Sequence, residues 1–248
     1  MPEIKQKYSQ LFSSYTYEQK EQLYEALAEF FSENKRRLLD QNIQNRTKHL
    51  TLVMEDIFQS QNASAVLRTA DCFGIQDVHI IENQYEYTLN PDVALGSSKW
   101  VNYYRYNKKD ENNTLLAYDD LRRKGYKIIA TLPHENDVML QDLDITEPIA
   151  LVFGTEKTGL TETAIKHADG FVKIPMYGFT ESFNISVSAA LCSFYLTEKI
   201  RNTEGIDWKL SPEQQMEQKL YWARQIVRES DKIMKKLAED MSLPALHF

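Results

Sequence analysis

Residues 174–190, IPMYGFTESFNISVSAA, decide how this 248-residue chain is read. A short apolar strand ends at Pro175, a glycine-containing loop follows, and Ser182, Asn184 and Ser186 meet the start of a small-residue helix. Asn and Ser side chains accept hydrogen bonds from the unpaired N–H groups of a helix N-terminus. Ala189 and Ala190 give that helix a surface that another backbone can approach closely. A loop folded against a helix N-terminus can hold a polar small molecule through main-chain groups.

Outward from this stretch, strands and helices alternate. Apolar runs predict strands at 50–54, 77–81, 100–106, 127–131, 149–153 and 171–174. Helical spacing and capping residues predict helices at 17–39, 62–73, 114–124, 161–167, 184–201 and 211–237, with a loop over 85–99. Continuous rather than alternating apolar strands belong to a mainly parallel sheet covered on both faces. The expected architecture is therefore an α/β domain over 50–203, with helical extensions at 1–49 and 204–248.

Composition excludes several classes. Hydrophobic residues at 42% suffice for a globular core. Cys72 and Cys192 both fall in predicted helices and read as small buried hydrophobes in a reducing, cytoplasmic setting. The five histidines (49, 79, 134, 167 and 247) show no metal-ligand spacing, and no metal is expected. No apolar run reaches the roughly 20 residues of a membrane span, and no apolar segment follows the polar N-terminus. The net charge of −7 argues against whole-surface nucleic-acid binding. Its distribution does not. The acidity sits in 50–210, and basic residues cluster at Lys35, Arg36, Arg37, Arg46 and Lys48 and again at Arg224, Arg228, Lys232, Lys235 and Lys236. On the last predicted helix, Leu220, Trp222, Ala223, Ile226, Val227, Ile233, Met234 and Leu237 take one half. Arg224, Arg228, Lys232 and Lys235 form a stripe on the other, suited to RNA phosphates.

Two more stretches carry polar residues at strand ends or helix starts: NASAVLRTA at 62–70 and LVFGTEKTGL at 151–160. The second is no P-loop, because Leu160 and Thr161 follow Gly159 where that motif needs Lys and then Ser or Thr. No dinucleotide-binding glycine fingerprint follows any strand.

Taken in order, 62–70, 151–160 and 174–190 resemble the three motifs of the SPOUT methyltransferases, specifically the tRNA (guanosine-2′-O)-methyltransferase H family. The resemblance covers roughly 46–201. It implies a C-terminal trefoil knot that binds S-adenosylmethionine, a homodimer whose active sites draw on both subunits, and methylation of a ribose 2′-OH in tRNA, most closely the D-loop guanosine (Gm18). A ribosomal RNA target is the alternative, and a knot protein that binds RNA without catalysis is the rival from another class.

The resemblance also implies roles. Arg68 matches the family's proposed catalytic residue; base and electrostatic stabiliser both stay open, and because a guanidinium normally stays protonated the second is favoured. Asn62 positions the ribose or Arg68, and Glu156 orders the site or the target nucleotide. Ser182 and Asn184 complete the catalytic set. Thr131, Leu132, Gly154, Ile174, Met176, Phe183 and Asn184 hold the cofactor. Lys99 lies in a segment where relatives carry a basic residue that touches RNA. The charge clusters read above add Lys35, Arg36, Arg37, Arg224, Arg228 and Lys232 as expected RNA contacts.

Overall fold

A computed structural model describes residues 11–132 and 138–246; His134, His247 and the N-terminal residues read above lie outside them. Along the chain the elements are α1 (Tyr17–Ala28), α2 (Glu33–Ile43), β1 (Leu50–Glu55), α3 (Ser60–Cys72), β2 (Asp77–Ile81), α4 (Pro91–Ala94) and β3 (Asn102–Tyr106). Then come α5 (Asn113–Arg123), β4 (Lys127–Thr131), β5 (Val138–Met139), β6 (Ile149–Phe153), α6 (Glu162–Lys166), β7 (Gly170–Lys173), α7 (Ile185–Asn202), α8 (Pro212–Ile226) and α9 (Ser230–Asp240). The described residues fall into two compact units, 47–208, and 11–46 with 209–246. No helix among the described residues is long and apolar enough to cross a membrane.

The first unit is a seven-stranded sheet in the order β3-β2-β1-β6-β4-β7-β5, with every pairing parallel. β1, β2 and β6 are buried at every residue; β6 is apolar throughout, while β1 and β2 bury Thr51, Glu55, Asp77 and His79 among their apolar residues. Side-chain direction still alternates. Leu50, Leu52 and Met54 of β1 join Leu151 and Phe153 of β6 on one face, where Val66, Leu67 and Ala70 of α3 and Ala189, Cys192 and Leu196 of α7 cover them. Val53, Val152, Ile128 and Ala130 point to the other face, against Tyr118 and Leu121 of α5 and Ala164 of α6. The second unit has its own core, built from Leu23, Tyr24 and Leu27 of α1, Met216, Leu220 and Ala223 of α8, and Met234 and Ala238 of α9.

Several sequence expectations need correction. The helix expected over 17–39 is two, because Ser32 accepts a bond from the N–H of Lys35 and starts α2 afresh. Phe30, between the two helices, is consequently exposed. The last helix also breaks. Val227 is extended and Glu229 is left-handed at φ +56°, so α9 sets off anew and the basic stripe is not continuous. Within 85–99, Asn90 and Pro91 start the short α4, and a 3₁₀ turn covers Ser97–Lys99. The two-residue β5 was not anticipated. Cys72 is exposed; only Cys192 is buried, and burial pushes its thiol up to about 12. Ala189 faces its own core rather than a partner.

A buried polar chain links β2, β3 and α5. Tyr106 donates its proton to Asp120 at 2.7 Å, so the 2.9 Å contact between Tyr106 and His79 Nδ1 has the imidazole as donor. His79 also stacks on Tyr104, at 4.8 Å between ring centres. Burial, with Lys124 nearby, drives the imidazole pKa down to about 3, against the pull of Asp77 and Asp120. The unfolded chain therefore binds a proton near pH 6.5 that the folded chain refuses until about pH 3. Stability present above pH 6.5 should fall with pH across this window, by up to about 1.4 kcal/mol per pH unit from this group. Urea unfolding between pH 7 and 5 should show a flatter pH dependence for His79→Gln than for the parent. Parallel slopes would contradict a neutral buried His79.

Candidate active site

The site lies at the carboxyl ends of the central strands, where ligands of open α/β sheets gather. β6 ends in Phe153, and the chain must turn at once. A Cβ on Gly154 would sit 2.3 Å from the carbonyl carbon of Gly159 and 2.4 Å from the nitrogen of Leu160, so only glycine fits. Thr155 and Gly159 exchange main-chain hydrogen bonds of 3.0 and 3.1 Å across the turn, with Gly159 at φ +68°. Glu156 is carried on this closed turn.

The first turn of α3 supplies Asn62, and the residue before α7 supplies Asn184. Asn184 Oδ1 accepts from the N–H of Ser186 at 2.8 Å, the cap read from the sequence. Its Nδ2 donates to Glu156 Oε1, and to Asn62 Oδ1 at 3.2 Å. Asn62 Nδ2 donates to the same Glu156 oxygen at 2.9 Å and to Gln59 at 3.0 Å. Asn62, Glu156 and Asn184 thus form one hydrogen-bonded clamp joining the three motifs.

Two cavities meet at this clamp, sharing residues 155–160 and Ile185 as walls. The smaller, about 360 Å³, brings together Thr131, Leu132, Gly154, Ile174, Met176, Ser182 and Phe183, all expected at the site. Thr131 is fixed by donating to the carbonyl of Val152 at 2.8 Å. Cys192 gives this cavity an apolar wall. Glu156, Glu181, Lys157 and Lys173 line it too. An apolar slot edged by charges of both signs fits S-adenosylmethionine, which combines an adenine with a zwitterionic, sulfonium-bearing tail. Asn184, expected among the cofactor ligands, belongs to the clamp and does not line this cavity.

The larger cavity, about 690 Å³, is lined by Asn62 and Glu156 together with Glu55, Asp56, Phe58, Gln59, Gln84 and Tyr85. Sequence reasoning missed these last six. The signal was an acidic doublet closing an apolar strand. Glu55 is buried and accepts from the Thr114 hydroxyl at 2.5 Å and from the Thr161 hydroxyl and N–H, both at 2.9 Å. It pins the far end of the Glu156 turn to α5.

Arg68 is exposed on α3 and lines neither cavity of its own chain. Lys99 is exposed at the end of the 3₁₀ turn. In the second unit, Arg36 pairs with Glu25, and Arg37 bonds Asn34 at 2.8 Å. Both border an 840 Å³ surface hollow on α2 whose rim also includes Glu33 and Asp40, with Lys35 in the same helix. Arg224 departs from expectation. Asp231 holds its guanidinium through two bonds of 2.5 and 2.8 Å, and the side chain is only 12% exposed, so it is a structural ion pair. Arg228 is exposed, and Lys232 is 80% exposed beside Glu229.

Comparison with known proteins places this geometry. The SpoU rRNA Methylase family matches residues 49–194, which span all three motifs. A tRNA (guanosine(18)-2′-O)-methyltransferase of Borreliella burgdorferi is 43% identical over 202 residues, covering 82% of this chain and 90% of that protein. The crystal structure of an A. aeolicus TrmH/SpoU tRNA modifying enzyme superposes with a TM-score of 0.59 at 25% identity, covering 86% of this chain and 98% of that one. The SpoU methyltransferase AviRb from Streptomyces viridochromogenes, solved in complex with the cofactor AdoMet, shares the fold with a TM-score of 0.56 at 21% identity, covering 66% of this chain and 65% of that one. The motifs, their convergence at one clamp and this family match together make the chain a member of the SpoU methylase family.

Proposed function

We infer that this chain is an S-adenosylmethionine-dependent RNA methyltransferase that methylates the 2′-OH of a tRNA guanosine, at position 18 as its Borreliella relative is named. The observation that carries the reading is the clamp of Asn62, Glu156 and Asn184 between a cofactor-sized cavity and a second, larger one. The family description speaks of ribosomal RNA, but the 43% relative that spans most of this chain acts on tRNA.

When bound, S-adenosylmethionine supplies the electrophilic methyl group. Leu132, Ile174 and Met176 would enclose its apolar part, and Ser182 offers a hydroxyl at the same cavity. Asn62 and Glu156 line both the clamp and the larger cavity, so they hold the ribose. A ribose 2′-OH is a very weak acid, and its oxygen must gain charge before it can attack. The Arg68 guanidinium, held by an RNA phosphate, stabilises that charge, and the 2′-OH proton passes to solvent as the methyl group is transferred.

Arg68 lies outside its own cavities, so we propose that two copies share each site. α7 leaves Val187, Leu191, Phe194 and Tyr195 exposed in one helical stripe, and Tyr177 and Phe179 in the preceding loop are almost wholly exposed. Such a contiguous apolar face suits a second copy. Arg68 belongs to α3, the helix that packs beside α7. The trefoil knot is proposed on similar grounds: β6 enters between β1 and β4, and the chain leaving β7 returns to bond Glu156 through Asn184. A cytoplasmic setting fits the free thiols of Cys72 and Cys192. For RNA binding we retain Lys35, Arg36, Arg37, Lys99, Arg228 and Lys232.

Three outcomes follow. With a tRNA transcript and radiolabelled cofactor, Arg68→Ala should lower single-turnover methylation at least about 100-fold, the scale of removing one oxyanion-stabilising group. Wild-type rates for this variant would remove Arg68 from the chemistry, and an unmethylated tRNA with the parent protein would refute the function. Neutralising Arg37, Arg228 and Lys232 should weaken tRNA binding and reduce the log–log salt slope by roughly one unit for each phosphate no longer neutralised. An unchanged slope would leave them structural. Light scattering should give twice the 29.0 kDa chain mass. Leu191→Glu with Phe194→Glu should shift it toward one chain and abolish activity, whereas a fully active monomer would rule out shared sites.

A further inference from the structure

We propose that Phe58 and Tyr85 form a stacking platform for the base of the nucleotide being methylated. The inference rests on the RNA 2′-O-methylation proposed above and assigns a base-binding subsite within it. Phe58 is 72% exposed and Tyr85 40% exposed, and their rings meet edge to face with centres 5.1 Å apart. Both line the 690 Å³ cavity, whose wall includes Asn62 and Glu156 of the clamp. A ribose held at the clamp has its base in that same cavity. The volume lies within the roughly 300–1,000 Å³ range of small-molecule sites, which suits a nucleoside.

The pair is held in place by the backbone around it rather than by chance proximity. Asp56 is buried and left-handed at φ +53°, a conformation that non-glycine residues seldom adopt. Its carboxylate accepts the N–H groups of Asn83 and Gln84 at 2.7 Å and of Tyr85 at 3.4 Å. The residue two positions before Phe58 thereby fixes the loop that carries Tyr85. Asn83 is further tied to Thr114 at 3.0 Å. Two exposed aromatics anchored in this way present ring surface to whatever enters, and any base can stack on such a surface. Gln59 and Gln84 line the same cavity, and their amides can pair with the edge of a stacked purine.

The test compares a tRNA transcript with the same transcript carrying a base-free ribose at position 18, each against the parent, Phe58→Ala, Phe58→Ala with Tyr85→Ala, and Phe58→Trp. Methylation is followed at saturating S-adenosylmethionine. The double variant should lose about 10- to 100-fold in kcat/KM on the intact transcript, the scale of one stacking interaction. It should lose nothing further on the base-free one, because base and platform act as one unit. Phe58→Trp should retain activity within a few-fold, and calorimetric S-adenosylmethionine affinity should be unchanged throughout. Equal losses on both transcripts would overturn the platform. So would a change in light-scattering mass of the double variant, which would make the pair a subunit contact. If the parent protein methylates neither tRNA, the methyltransferase reading falls and the platform with it; if it methylates the intact transcript and the losses are additive, only the platform falls.

Discussion

One oxygen of Glu156 accepts N–H bonds from two side-chain amides, Asn62 and Asn184, and much of the site follows from that arrangement. The three residues lie on an α-helix start, a strand-end turn and a helix cap, each far from the others in sequence. Hydrogen bonds to a charged acceptor contribute about 1.5–3 kcal/mol each, enough to hold loops that have little apolar packing of their own. The turn carrying Glu156 exists only because Gly154 lets residues 159 and 160 pass where a side chain would stand. Its other end is pinned by Thr161 to the buried Glu55.

Asn184 shows how one side chain can serve both fold and site. Its Oδ1 is committed to the N–H and hydroxyl of Ser186 at the start of α7. An amide presents acceptor and donors in opposite directions, so its NH₂ must face the carboxylate of Glu156 and the carbonyl of Asn62. The helix cap therefore dictates the orientation of the clamp. A carboxylate in place of this amide would keep the cap and repel Glu156.

What the sequence made legible were the features governed by local pattern. Five of the six expected strands coincide with observed ones to within a residue or so, because each is carried by a mostly apolar run. The cap at Asn184 and the gathering of Thr131, Leu132, Ile174, Met176 and Phe183 in one cavity were also readable, the first from capping chemistry and the second from family resemblance. Features set through space were not. Nothing local announces that Arg224 is consumed by Asp231 across a helix break, or that Glu229 turns left-handed there. The apolar half of the last helix is spent on the core of its own unit, through Leu220, Ala223, Val227 and Met234. Phe58 and Tyr85 meet only because Asp56 gathers the N–H groups of a loop some 27 residues further on.

If the clamp separates a cofactor cavity from a substrate cavity, a crystal structure of the chain grown with S-adenosylmethionine will show cofactor density between Leu132 and Ile174. Asn62, Glu156 and Asn184 will still be bonded, and the cavity beside Phe58 and Tyr85 will be clear of cofactor. Cofactor density lying against Phe58 and Tyr85, or a Glu156 displaced from both amides, would contradict that separation.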